Sequence, residues 1–222
     1  MKNIWFTSDR HFDHKNIIRY CGRPFVNQGF YNTSLPYEKQ DKRFWDHEAM
    51  NEFMIKEHNK LVKPGDDVYD LGDFAFGRDA SESRIIQHLS RMAGNLHFLW
   101  GNHDKLIKAV AKAQPHLFTW HSKDFGHNSP IVEFEEGGIQ LVLCHYAMES
   151  WHGSHKGVGH LYGHTHGTLN EGSLNRFDIG VDSWGFRPVH LDEVVSKLNA
   201  KRQGKDPRTL PGRFQPQHNF DK

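Results

Sequence analysis

Five short clusters of Asp, Asn and His punctuate the chain: Asp9 with His11, Asp73 after Gly72, Asn102 with His103 and Asp104, a lone His145, and His164 with His166. Their side chains share one capacity, the binding of divalent cations through carboxylate or amide oxygen and imidazole nitrogen. In Asp9-Arg10-His11 and His164-Thr165-His166 the outer residues alternate, so in an extended segment they project to one side, as a single cation requires. A site for two cations also needs a carboxylate able to lie between them, and the clusters supply carboxylates. Histidine is abundant, 18 of 222 residues, which invites a search for ligands and proton-transfer groups. Taken singly each residue has a plainer reading: a helix cap or turn for Asp73, a turn for Asn102, a satisfied structural imidazole for His145. Cys21 and Cys144 lie far apart, with Cys144 in an apolar run, so neither a disulfide scaffold nor a thiolate metal site is expected.

Each cluster directly follows an apolar run, and this repetition is what chance explains badly. Residues 3–8, 67–71 and 96–100 read as buried strands that deliver polar loops. Helical patterns follow over 41–62, ending at Lys63-Pro64-Gly65, over 81–92 with a Ser start signal, and over 105–113. Three strand, loop, helix units predict an α/β domain with parallel strands, and in such sheets ligands collect at the carboxyl ends of the strands. The second half changes to a hairpin over 131–144 around Gly137-Gly138, short strands at 161–162, 177–181 and 188–190, and a helix over 191–201. The expected domain spans 1–202, with a loop insertion at 22–40 placed as a lid or a packed surface loop, and a mobile polar tail at 203–222.

Lys and Arg number 28 against 27 Asp and Glu, a net charge of +1. No global field points to duplex nucleic acid or an anionic membrane. No signal peptide or spanning segment is legible, and the predicted location is cytoplasmic.

The ordered set Asp9-Arg10-His11, Gly72-Asp73, Gly101-Asn102-His103-Asp104, His145 and Gly163-His164-Thr165-His166 resembles the signature of the calcineurin-like metallophosphoesterases, and covers residues 4–190. Asp70-Leu71-Gly72-Asp73-Phe74 and Val181-Asp182 look like the short bacterial and phage members. The resemblance implies a fold of two mixed β-sheets sandwiched between helices, in four layers. It also implies one divalent metal held by Asp9, His11 and His166, a second held by Asn102, His145 and His164, and Asp73 between them. Manganese stands first among the implied ions, with iron, zinc or nickel as alternatives. His103 is implied to lie against the phosphate, where it would stabilise charge or protonate the leaving oxygen, with Asp104 orienting its imidazole. The implied chemistry is in-line attack on phosphorus by a hydroxide held between the two cations.

Outside this set, Arg10 is expected to contact a phosphate oxygen, against a solvent-facing alternative. His14 is a candidate substrate contact, or a structural residue in a loop where related short members carry Gly in place of Asp13. Phe76, with Phe74 and Trp151, is a candidate apolar wall for a base or aryl group, although the core is the expected place for Phe74. His152, His155 and Lys156 are candidates for charge near a polyanion. The predicted partner is a phosphate ester, a small nucleotide or other diester first, with nucleic acid as an alternative and no membrane. The competing function classes are a phosphomonoesterase or protein phosphatase, and a metal-bound phosphate- or nucleic-acid-binding protein without catalysis.

Overall fold

The computed structural model describes residues 3–119, 130–169, 172 and 174–204. Its first sheet is built from β1 (Ile4–Thr7), β2 (Asp67–Asp70), β3 (Asn95–Phe98) and β8 (Val189–His190), in the order β3-β2-β1-β8. The first three strands are parallel and β8 is antiparallel to β1. The second sheet runs β4 (Ile131–Glu136), β5 (Ile139–Cys144), β6 (Gly159–Tyr162), β7 (Arg176–Asp178) in that spatial order, with an antiparallel β4–β5 hairpin and parallel pairing thereafter. Both sheets are therefore mixed, and the α/β architecture read from the sequence is the one found. The second sheet, which spacing alone did not supply, is present.

Alternation along the strands decides which sheet face meets what. Trp5, Val68, Leu96 and Phe98 point to one side of the first sheet and join a core with Ile17, Ile18, Met50, Met54, Ile85, Leu89, Ile107 and Val110. Those residues come from α1 (Lys15–Cys21), α2 (His47–Leu61), α3 (Glu82–Arg91) and α4 (Lys105–Ala113). On the opposite side Ile4, Phe6 and Tyr69 meet Phe134, Leu141, Leu143, Leu161 and Phe177 of the second sheet, forming a second core between the sheets. To this core α5 (Leu191–Arg202) adds Val194 and Leu198. Burying the apolar side of both sheets and four helices supplies the main driving force, roughly 25 cal/mol per Å² of apolar surface.

Two helix boundaries differ from expectation. The helix predicted over 41–62 begins only at His47, because the Asp46 side chain accepts from the Ala49 N–H and caps it there, while Lys42–Phe44 form a separate 3-10 turn. In the segment read as a continuous loop after His11, the seven-residue α1 forms, stopped by Gly22 in the left-handed region at φ 61°. With only Ile17 and Ile18 fully buried it is too short to show a period. The 22–40 segment folds as 3-10 turns, knitted by Gln40, whose amide bonds Asn32 and Leu35, and by Tyr31 and Tyr37 against Phe44 and Trp45. Among the described residues no helix is long and apolar enough to cross a membrane. The tail expected to be mobile lies, from residue 205 onward, outside the described residues.

Candidate metal centre

The loops after β1, β2, β3, β5 and β6 come together at one edge, and they lock by close approach. A Cβ at Gly163 would sit 2.1 Å from Ser8 Oγ and 2.2 Å from Asp9 Oδ2, and one at Gly101 would sit 2.2 Å from Asp73 Oδ1. Glycine is therefore required at both places for loop backbone to touch a neighbouring carboxylate. Two buried acids complete the assembly. Asp104 accepts the N–H groups of Asp73 (2.8 Å), Phe74 (2.9 Å) and Gly101 (2.6 Å). Asp178 does the same for Gly167 (2.9 Å) and Gly180 (2.6 Å), and also takes the Thr165 hydroxyl at 2.7 Å.

Within this frame the ligand atoms of Asp9, His11 and His166 lie within 4.8 Å of one another, and so do those of Asp73, His145 and His164. The two groups are joined through one atom. Asp73 Oδ2 is 3.5 Å from His11 Nε2 and 3.5 Å from His145 Nε2. Asn102 completes the second group, its amide oxygen 3.1 Å from His145 Nε2. All seven predicted ligands are thus gathered in one place. His103 is there as well, its ring 5.6 Å from that of His11 and its N–H bonded to Asp73 Oδ1 at 2.8 Å.

The electrostatics fit a cation. His11 is buried and neither ring nitrogen has a hydrogen-bond partner, a state that is rare for buried polar atoms unless something else binds them. Burial, helped by Arg23, His166, His14 and His103, holds its pKa well below the usual value, so the ring is neutral with a free lone pair. Burial pushes His145 down to about 4 with the same result. Asp9 is driven well above the usual carboxylate range by burial, His166 opposing and Asp178 and Asp73 reinforcing. Such buried acids are stabilised by cations. Burial lowers the pKa of His166, but hydrogen bonds to Asp182 and Cys21 and the charges of Asp182 and Asp9 raise it to about 11. The positive charge those acids demand is one a metal at the ring also supplies.

A supporting layer escaped sequence reasoning. Asp182 accepts from His166 Nδ1 at 2.7 Å and forms a two-pronged ion pair with Arg23, 2.8 Å at each oxygen. The fully buried Arg23 guanidinium also donates to the backbone carbonyls of Asp9 (2.8 Å) and Arg10 (2.9 Å). One cation thus braces the strand-end loop and, through Asp182, the ring of a ligand. Cys21, excluded on sequence, lies against His166 and Asp182, but Asp182 is already engaged by Arg23 and His166, which makes this trio a backing layer.

Several expectations need correcting. Arg10 does not reach a phosphate or solvent. It is buried, its Nε bonded to Asp70 at 3.0 Å and its Nη2 3.2 Å from His58, because its side chain turns into the protein between two outward-facing ligands. Asp104 does not orient the His103 ring, since its oxygens are taken by the three N–H groups above, and burial pushes it up to about 7. Trp151 packs on His160 with its indole N–H on the Val158 carbonyl, away from any wall of the site, and Phe74 is in the core, as expected. His152 is exposed and pairs with Glu133. Asp13 adopts the left-handed backbone (φ 64°) that a glycine would favour, held there by Asn51, Arg84 and His88. His14 and Phe76 do adjoin the centre: the His14 ring is 5.6 Å from that of His11, and Phe76 is 4.0 Å from His103.

No protein-family model matches the chain. It is 28% identical over 219 residues to an uncharacterized protein of Methanocaldococcus jannaschii, covering 95% of this chain and 97% of that one. It is 23% identical over 222 residues to the gene 66 protein of Mycobacterium phage L5, covering 90% and 95%. The crystal structure of a protein of unknown function from Aquifex aeolicus superposes with a TM-score of 0.59 at 18% identity, covering 88% of this chain and 99% of that one. The likeness is one of fold.

Proposed function

We propose that this protein is a dinuclear metal-dependent phosphoesterase that favours a phosphodiester of a nucleotide or another small substrate. The observation that carries the reading is the position of Asp73 Oδ2, 3.5 Å from imidazole nitrogens of both ligand groups. A carboxylate so placed would be shared by the cations of both groups. Asp9, His11 and His166 would hold the first, and Asn102, His145 and His164 the second. The mixed nitrogen and oxygen donors suit manganese, iron, zinc or nickel. When bound, two such cations lower the pKa of water and neutralise charge on phosphoryl oxygens.

The chain's own residues supply the rest. His103, half-buried at the rim and fixed through its N–H to Asp73, is placed to hold a proton for the leaving oxygen. Asp104 positions it indirectly by fixing the backbone of the two loops that carry Asp73 and His103. Arg23 and Asp182 keep His166 aimed.

The test is hydrolysis of bis-p-nitrophenyl phosphate against p-nitrophenyl phosphate by chelator-treated protein, with manganese, zinc, nickel or iron returned. Activity should vanish with the metal, return with it, and favour the diester. His103→Ala should lower kcat about 10²- to 10⁴-fold while the metal content stays the same. Full activity in the chelated sample would overturn the reading, and cleavage of the monoester alone would reassign the substrate class.

A further inference from the structure

Among the described residues, nine large apolar side chains are more than a third exposed: Tyr20, Phe30, Tyr31, Leu35, Phe53, Phe76, Ile131, Tyr146 and Leu169. Scattered exposed apolar residues are ordinary, but two of these nine, Phe76 and Tyr146, are aromatic rings set directly against histidines of the metal centre, and a third, Tyr20, adjoins His14 beside it. Phe76, 38% exposed, lies 4.0 Å from the His103 ring and 5.0 Å from that of His14. Tyr20, 62% exposed, continues this rim at 6.3 Å from His14, with the Arg19 guanidinium 4.8 Å from its ring. Tyr146, 43% exposed, belongs to the other side: its ring is 5.0 Å from His145 and 4.9 Å from His164.

The rings therefore bracket the two ligand groups. Phe76 and Tyr20 reach the first group through His14 and His103, both next to His11, and Tyr146 touches two ligands of the second. The Phe76 backbone is fixed, its N–H donating to the Phe12 carbonyl at 3.1 Å, and the Tyr146 ring is seated edge-on against both His145 and His164. An ordered ring exposed at each end of a phosphate-binding centre is a stacking platform, and flat bases are what such platforms hold without regard to sequence. A net charge of +1 argues against a partner held mainly by its backbone charge, as a long duplex would be.

We propose that the substrate is a nucleotide diester carrying a base on each side of the scissile phosphate, one base stacking on Phe76 and Tyr20 and the other on Tyr146. This assignment of substrate class rests on the phosphoesterase reading above. A free dinucleotide and the end of a single strand share the required chemistry.

The metal-loaded protein is assayed on thymidylyl-thymidine, on a short oligothymidylate and on dimethyl phosphate, a methyl ester with neither base nor ring. Phe76→Leu and Tyr146→Leu keep bulk and apolarity but remove the flat ring. Each should lower the ratio of kcat/KM for dinucleotide over methyl ester about 5- to 150-fold, the range for loss of one stacked base. Tyr146→Phe should restore the ratio. Ratios that do not move in the Leu variants overturn the proposal while leaving the phosphoesterase intact. A second readout is independent of catalysis: fluorescence titration of the metal-free protein with labelled oligothymidylate, whose binding should weaken at least about 5-fold in each Leu variant. If no ester is cleaved with any metal, the phosphoesterase reading falls and this titration alone decides the stacking surface; equal binding by wild type and both variants overturns it. Preference for oligothymidylate over the dinucleotide identifies a strand end as the source, and the reverse preference identifies the free dinucleotide.

Discussion

The two ligand groups differ in what stands behind them. Asp9 and His11 are buried, and His166 is four-fifths so; behind them lie Asp182, the fully buried Arg23, and Asp178 on the neighbouring backbone. In the second group Asp73 and His145 are equally buried, but Asn102 and His164 are exposed, and His145 is backed by the Leu71 carbonyl at 3.0 Å. One half of the centre is embedded in a charged framework and the other half is open to solvent. The difference teaches that a site of near-symmetrical donors can be lopsided in its support; on the dinuclear reading, the first group would hold its ion as part of the structure and the second would exchange its ion from the surface.

Three measurements break or sharpen this contrast. The largest effect is expected from Arg23→Ala. Removing one member of a buried ion pair strands the other, and Asp182 would be left with His166 as its sole charged partner, a loss at the lower end of about 3–5 kcal/mol in chemical denaturation. A loss no larger than a surface ion pair usually supplies, at most about 1 kcal/mol, would mean that the framework contributes little.

Acidification comes next, because the frame beneath the loops must outlast the ions for the two halves to be compared. Burial, Arg10 adding to it, holds His58 down at about 3; burial holds His160 down at about 4. Unfolded histidine titrates near 6.5. Between these values the unfolded chain binds more protons than the folded one, so stability rises with pH across that window. The contribution is complete above about pH 6.5 and is lost as pH falls towards 4, on the order of 3 kcal/mol for His160. Asp104, held up at about 7, and Asp9 take up protons in the folded chain over the same window and act in the opposite direction, so the check is the stability difference between the metal-free protein and His160→Gln at pH 7 and pH 5; a difference that does not shrink on acidification would refute it.

The smallest effect is expected from Asp182→Asn, which keeps the shape and removes the charge behind His166. The tighter of the two ions should lose about 10- to 100-fold in affinity while the weaker keeps its own, as read by metal titration calorimetry. Equal loss at both sites would abolish the asymmetry.

What was legible follows the same division. The candidate ligands could be picked out because each stands immediately after an apolar strand, and residue type beside strand end is local information; their grouping came from the family resemblance. The fold class was legible for the same reason, from Ile4–Thr7, Asp67–Asp70 and Asn95–Phe98 alternating with helices. Arg23 could not be read: its carboxylate partner is 159 residues away, and within its own segment it is one basic residue in an irregular loop. The side chain of Arg10 was misread because strand periodicity says which neighbours share a face, but not that the opposite face is occupied by Asp70 and His58. Exposure of Tyr146 was equally invisible, since an aromatic residue beside a buried strand ordinarily packs inward, whereas Phe76 was read as a candidate wall of the site and does adjoin it.

The backbone of the ligand loops has one further consequence. Of the seven described non-glycine residues at positive φ, five are candidate ligands: Asp9, His11, Asp73, His164 and His166. Each sits where glycine would be more comfortable, at about 1–3 kcal/mol of strain. At these positions durability and chemistry therefore pull the chain in opposite directions. A library screened only for heat resistance should drift towards glycine or asparagine at these five positions and lose its metals as it hardens, whereas one screened for metal retention should keep the strained residues and gain stability elsewhere.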